Sequence, residues 1–172
     1  NITNNVNTTL VDNCTDANLG ATMATNYTYP VPKGKLSVVN TNRLWLANDP
    51  QSSPSRIYYS EDGGHEFFVP NHYFDVRSND GDSITFAKNQ LGILTVGKDN
   101  SIQKIYTEGS DPATEWSISN PFSYTGCRSP YSAYESPLGI IYLGHDGLYT
   151  FNGQSSTLIS EAVTPVIKDI SD

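Results

Sequence analysis

The sequence predicts an all-β fold of the β-propeller type, with about three four-stranded blades. From Lys35 onward, short runs rich in β-branched and aromatic residues are separated by Gly, Asn, Asp and Pro, and almost no window shows apolar residues at helical spacing. These runs fall into three groups of four, with a period of about 48 residues. Four short strands in each period of roughly 40 to 50 residues are typical of a propeller blade.

Twelve runs along the chain predict the individual strands. They lie at 36–39, 43–47, 56–59, 66–69, 83–88, 92–96, 102–106, 115–119, 132–135, 140–143, 148–151 and 157–159. Aligning the second strand of each group places 43–46 beside 92–95 and 139–142. A sandwich of about twelve strands is the structural alternative, but it would show regular strand spacing without the fourfold internal period.

The composition divides the chain into two parts. Residues 1–34 are rich in Asn and Thr and predict an extended arm, whereas 35–172 predict the propeller segment. The blades are expected at about 35–80, 81–128 and 129–160, followed by a short C-terminal helix or turn that Ser160 could cap and Pro165 would limit. Because closed propellers use about 4 to 8 blades, further blades would come from a longer chain or from partner subunits.

The overall charge limits the partners of this segment. The formal net charge is −8 and the pI is near 4.7, whereas a nucleic-acid surface normally shows a clustered excess of Lys and Arg. No run approaches the roughly 20 apolar residues that a bilayer span requires. We therefore expect no direct contact with DNA and no membrane span.

No group of residues shows the spacing of a metal or cofactor site. Cys14 and Cys127 are far apart in sequence, so they could form a disulfide or remain two separate thiols. The three histidines, His65, His72 and His145, lie in predicted turns and loops without ligand spacing. Asp80 and Asp82 carry oxygen ligands that suit calcium, but their spacing is not that of an EF-hand loop. We expect neither a metal nor a cofactor.

Residues 60–67 match the Asp-box pattern Ser-x-Asp-x-Gly-x-x-aromatic, with Ser60, Asp62, Gly64 and Phe67 at the specified positions. Asp62 can accept hydrogen bonds from backbone N–H groups of the turn, and Gly64 can supply a positive φ. Ser60 can bond back to the loop and Phe67 can be buried beneath it. The box therefore predicts a hairpin whose tip it forms, and its role is structural.

Asp-boxes recur in the propellers of sialidases and related repeat proteins, usually between the third and fourth strands of a blade and away from the active site. The box of this chain has the same place in the first group of strands. A sialidase would also need several arginines around a substrate carboxylate, together with a tyrosine nucleophile. Arg43, Arg56, Arg77 and Arg128 lie in no recognisable motif of that family, and we therefore expect no enzymatic activity.

The order of several segments resembles a recurring unit of the propeller-bearing tail nozzle and tail hub proteins of short-tailed bacteriophages. Some of these are known as packaged-DNA stabilisation proteins. The segments that carry the resemblance are NRLWL at 42–46, SRIYYS at 55–60, NHYFDV at 71–76, DNSI at 99–102, GCRSP at 126–130, GIIYLGHDGLY at 139–149 and FNG at 151–153, followed by Ile159-Ser160. The resemblance covers about residues 35–170 and contains no catalytic signature.

The resemblance implies a structural role in the virion tail. Several copies would form a ring below the portal with other tail proteins, helping to retain DNA and to conduct it at ejection. DNA would then meet the chain only indirectly, through the lumen, where acidity lets it slide without sticking.

A secreted or surface propeller that binds a glycan or a protein is the alternative function. The Asp-box favours it, and so do four Asn-x-Ser/Thr triplets at Asn1, Asn7, Asn13 and Asn26, which would accept glycans in a secreted eukaryotic protein. The chain would then be extracellular.

Overall fold

A computed structural model of the chain describes residues 29–163. Its twelve strands are β1 Leu36–Asn40, β2 Arg43–Asp49, β3 Ser53–Glu61, β4 Gly64–Asp75, β5 Ile84–Gln90, β6 Ile93–Lys98, β7 Ile102–Tyr106, β8 Ser117–Ile118, β9 Tyr134–Ser136, β10 Gly139–Leu143, β11 Leu148–Phe151 and β12 Ser156–Leu158. Single 3₁₀ turns lie at Pro130–Ser132 and Glu161–Val163. Most of the predicted N-terminal arm, its four glycan triplets, Cys14 and the end of the predicted C-terminal helix lie outside the described residues.

The strands form three separate four-stranded antiparallel sheets in chain order. Sheet 1 contains β1–β4, sheet 2 contains β5–β8, and sheet 3 contains β9–β12. Each sheet is an up-and-down meander, and none of the three closes on itself. The predicted fold class is confirmed, because the described chain is all-β with three propeller-like blades.

Sheet 2 lies between the other two sheets and is buried on both faces. One core joins it to sheet 1 through Trp45, Ile57, Leu94 and Ile105, among others. A second core joins it to sheet 3 and includes Phe86, Ile102, Ile140, Tyr142 and Phe151. The first strands β1, β5 and β9 are neighbours, as the innermost strands of propeller blades are.

A β-bulge in β5 allows this strand to place side chains in the cores on both faces of sheet 2. The register with β6 shifts between Ile84 and Phe86, so Ile84 packs toward sheet 1 although Phe86, two residues later, packs toward sheet 3. Gly97 lies opposite Phe86, and a Cβ at Gly97 would collide with the Phe86 ring. The glycine therefore provides the space in which this ring joins the second core.

The hairpins correct the predicted alignment of the blades. The pairs Asn40↔Arg43, Gln90↔Ile93 and Ser136↔Gly139 close the equivalent first hairpins, which places Leu94 beside Leu44 rather than Trp45. The alignment from sequence is thus wrong by one residue in the middle blade. A slip of one residue reverses every side chain, and Trp45 indeed faces sheet 2 whereas Leu94 faces sheet 1.

Some element boundaries also differ from those predicted. β4 extends to Asp75 through two register shifts, so His72 lies on a strand rather than in a loop between blades. The fourth strand of sheet 2 is only Ser117–Ile118. The first strand of sheet 3 begins at Tyr134 because the 3₁₀ turn at Pro130–Ser132 precedes it. Within residues 29–163, no helix is long and apolar enough to span a bilayer.

Candidate functional site

The two ends of the blades carry different connections. The first and third connections within each blade lie at one end, called here the hairpin end, and include the Asp-box turn. The second connections and the links between blades lie at the opposite end, called here the loop end. This separation follows from the meander, because consecutive antiparallel strands turn at alternate ends.

The loop end holds a polar cavity of about 920 Å³. It lies where the first strands of the blades begin, between Lys35, Thr85 and Pro130, and Ser52, Ser78 and Asn79 also line it. Hydroxyl, amide and charged groups of both signs therefore surround the space. Such a lining can hydrogen-bond a polar ligand, and it contains no aromatic platform.

Arg56 lies on the wall of the cavity but is fully engaged by its neighbours. Its Nε donates to Asp75 Oδ1 at 2.7 Å and one terminal nitrogen donates to Asp75 Oδ2 at 2.9 Å. The guanidinium also lies 3.6 Å from the centroid of the Tyr73 ring. The hydrogen bonds to Asp75 raise the pKa of Arg56 above its usual value. This arginine stabilises the end of sheet 1.

Lys98 holds the link between sheets 1 and 2 in place through its side-chain ammonium group. Its side chain is fully buried. Its Nζ donates to Val76 O at 3.0 Å, Arg77 O at 3.1 Å and Ser55 Oγ at 3.1 Å, and it also pairs with Asp80 at 2.5 Å. A buried ammonium group is stable only with such a set of acceptors. Lys98 therefore fixes the path of residues 76–80.

The two carboxylates considered for calcium are occupied by internal donors. Burial would raise the pKa of Asp80, but the hydrogen bonds from Lys98 and from the Asp82 backbone outweigh it and hold that pKa below its ordinary value. Asp82 accepts hydrogen bonds from the backbone N–H groups of Asp99 at 3.0 Å and Asn100 at 2.9 Å. Both side chains therefore serve the loops, and among residues 29–163 no group of three metal-binding side chains occurs.

A second polar chain crosses the loop end near sheet 3. Arg128 donates to His145 Nδ1 at 3.3 Å, and His145 Nε2 lies 3.3 Å from Asp99 Oδ1. Because an arginine can only donate, Nδ1 must accept, which places the proton of the neutral imidazole on Nε2. His145 lies in the β10–β11 turn, as predicted, and joins two neighbouring blades there.

The residues that match the Asp-box pattern, 60–67, include the tip of the β3–β4 hairpin. Ser60 Oγ accepts from the backbone N–H of Leu44 at 3.0 Å and therefore bonds to the neighbouring strand β2. Asp62 accepts from the side-chain amide of Asn42 at 2.9 Å, and Gly63 N donates to Asn42 O at 3.0 Å. The box thus fastens two adjacent hairpin tips of sheet 1 to each other.

Gly64 does not supply the positive φ that the sequence predicts for it. The positive φ of the turn belongs to Gly63, at 67°, because the hairpin has two central residues and Gly64 already pairs with Glu61. Gly64 is needed for space instead. A Cβ there would lie 2.7 Å from Cδ2 of Phe67, whose half-buried ring packs against the glycine.

Cys127 is a buried free thiol in the core between sheets 2 and 3. Its Sγ donates to Ser129 O at 3.0 Å, and burial raises its pKa. Beside it, burial raises the pKa of Tyr142 to about 12, and the Tyr142 hydroxyl bonds to Thr125 O and Ser156 Oγ. Cys14, with which Cys127 could form a disulfide, lies outside the described residues.

The four arginines do not gather as a sialidase would require. Arg43 lies at the hairpin end, where its guanidinium is 5.3 Å from the Trp116 ring centroid and 3.9 Å from Glu61. Arg56 and Arg128 reach the cavity but bind Asp75 and His145, and Arg77 lies 3.8 Å from Asp80. No set of three therefore points at a common carboxylate position.

The outer faces of the two terminal blades are the other candidate surfaces. The outer face of sheet 3 carries only uncharged side chains, namely Tyr134, Ile141, Leu143, Leu148, Thr150 and Thr157. The outer face of sheet 1 has a groove of about 450 Å³ between residues 29–33 and the side chains of Tyr58, Phe68, Val69 and Pro70. Among the described residues, no third layer of sheet covers either face.

No protein-family model matches the sequence, and a search of curated proteins finds no significant match. The function is therefore argued from the fold and from these surfaces.

Proposed function

We propose that the chain is a structural component of a bacteriophage virion tail, of the nozzle or hub type. Its three blades join further blades in a ring that helps to retain and conduct DNA. The observation that supports this proposal is that, within residues 29–163, no further sheet covers the outer faces of sheets 1 and 3. Sheet 2 shows that blades of this chain are covered by other blades, and closed propellers use about 4 to 8 of them.

The internal chemistry of the segment also suits a structural part. At the loop end, the charged groups Lys98, Asp80, Asp82 and Arg56 are consumed in holding loops and strand ends together. The net charge of −8 disfavours tight binding of phosphate, so DNA would pass such a ring without adhering.

Purified phage particles from the source material test this proposal. An antibody against the chain should label one end of intact particles in electron micrographs, and native mass spectrometry of the labelled part should give a symmetric multi-copy assembly with other tail proteins. Recovery of the chain only as a glycosylated protein free of particles would refute the tail role.

A secreted or surface binding module is the second candidate, and the polar loop-end cavity of about 920 Å³ favours it. A glycan bound there would use Ser, Asn and charged side chains. Titration of the chain with an oligosaccharide panel tests this, with Ser78→Trp as the variant that narrows the cavity and Leu138→Trp at the hairpin end as control. Binding that only Ser78→Trp removes would support it, and no binding would refute a glycan site.

A further inference from the structure

The outer face of sheet 3 is built like a blade interface. Within β10 and β11, Ile140, Tyr142, Tyr149 and Phe151 face sheet 2, so alternation turns Ile141, Leu143, Leu148 and Thr150 to the opposite side. Leu148 is 37% exposed, and Ile159, bonded through its N–H to Leu148 O, is 51% exposed. Together they form an apolar ridge on the third and fourth strands, near the loop end.

The outer face of sheet 1 offers a matching concavity. Its groove lies over the third and fourth strands of that blade, between Tyr58, Phe68 and Val69 on one side and Tyr29 and Val31 on the other. The groove also reaches Gln51 and Ser52 in the β2–β3 connection, so it lies toward the loop end. Ridge and groove thus occupy the same radial position and the same end of their blades.

The two outer faces point in opposite directions along the series of blades. The face of sheet 1 that carries the groove is the side on which a preceding blade would pack, and the face of sheet 3 that carries the ridge is the side for a following blade. The internal interfaces already join a following face to a preceding face twice, between sheets 1 and 2 and between sheets 2 and 3. A third junction of the same kind continues this series.

Charge does not oppose such a junction. The strand residues of the sheet 3 face are uncharged. On the sheet 1 face, Arg56 and Asp75 neutralise each other through two hydrogen bonds. The groove is also lined by Lys33 and Asp49, which attract each other, so these charged groups of the sheet 1 face stand in pairs of opposite sign.

We propose that the partner covering both faces is a second copy of this chain. The Leu148/Ile159 ridge of each copy inserts into the groove of the other copy, and two sets of three blades close into a six-bladed propeller. Six lies within the range of blade numbers that closed propellers use. The contact is head-to-tail and closes after two copies. This inference rests on the assembling role proposed above but not on the virion location.

The mass of the 172-residue chain in solution tests the proposal, by sedimentation equilibrium and native mass spectrometry. The wild-type chain should have twice the 18.9 kDa mass of one copy. Leu148→Glu on the ridge and Val31→Glu in the groove should each weaken dimerisation about tenfold or more, because each buries a charge in an apolar contact. Both side chains are exposed, so circular dichroism should remain unchanged.

A control variant and a second ridge variant complete the test. Leu138→Glu, at an 81% exposed position of the hairpin end, should leave the dimer intact, and Ile159→Glu should repeat the effect of Leu148→Glu. A monomeric wild-type chain, or unaffected dimers of the ridge and groove variants, would each overturn the proposal. The particle experiment would still decide the tail role separately.

Discussion

At the residue scale, the loop end depends on contacts between residues that are distant in sequence. Lys98 bonds to Ser55, which lies 43 residues earlier, and to Asp80, which lies 18 residues earlier. No local pattern marks a lysine in a strand as a buried anchor, because its acceptors belong to another blade. The sequence could therefore identify the turn residues Asp80-Gly81-Asp82 but not the group that they hold.

Replacing Lys98 with methionine should lower the free energy of unfolding by about 3 kcal/mol, because it leaves Asp80 and two buried carbonyl groups without their donor. Urea unfolding followed by fluorescence measures the change. Lys33→Met is the matched control, since Lys33 is exposed, donates to Gln51 at 3.4 Å and attracts Asp49, and it should change stability by less than about 0.5 kcal/mol. Equal effects of the two variants would contradict this role of Lys98.

Asp80 should make stability depend on pH in the acid range. Its pKa is lower in the folded chain than its ordinary value of 3.8, so on acidification the unfolded chain takes up this proton first. Its contribution is fully present above pH 3.8 and is lost as the pH falls through the folded pKa. Urea midpoints from about pH 6 to about pH 3 should fall less steeply for Asp80→Asn than for wild type. Parallel pH profiles would contradict the assignment.

At the element scale, the sequence predicted each of the twelve strands, because strand and turn signals are local. The β3–β4 hairpin was predicted for the same reason. The face of the sheet to which each side chain points was not predictable from the sequence. The bulge between Ile84 and Phe86 shows why. A bulge changes which side chains enter a core without changing the composition of the strand. The groove was also missed, because it combines segments that are distant in sequence, and the ridge was missed because it depends on which face of the sheet Leu148 and Ile159 share.

The bulge leads to a prediction about Gly97. Gly97→Ala should destabilise the chain by about 1–3 kcal/mol, because its methyl group enters the space of the Phe86 ring. Phe86→Leu makes room for that methyl group, so the double variant should lose clearly less stability than the sum of the two single variants. Thermal and urea unfolding of all four chains measure the coupling. Strict additivity would show that the two side chains do not compete for space.

In the β1–β2 turn, we predict a substitution that stabilises the chain. Thr41 has a φ of 47°, a conformation that is costly for a β-branched residue. Thr41→Gly should therefore stabilise the chain by about 0.5–1 kcal/mol. Ser37→Gly, in the neighbouring strand at an exposed position, should instead destabilise it by a similar amount. Calorimetry distinguishes the two directions, and a loss of stability in Thr41→Gly would contradict the strain.

At the scale of the whole molecule, we propose that the three sheets are blades of a propeller that other blades complete. Sheet 2 packs against another sheet on both of its faces. Within the described residues, sheets 1 and 3 each pack against another sheet on only one face. The sequence led to this claim through the fourfold period, and the fold supports it through the order and packing of the sheets.

The most direct test is a cryo-electron microscopy map of the complex isolated from its source. We predict that the outer faces of sheets 1 and 3 each pack against another four-stranded blade, with Leu148 and Val31 buried. A map in which both faces border solvent would contradict it.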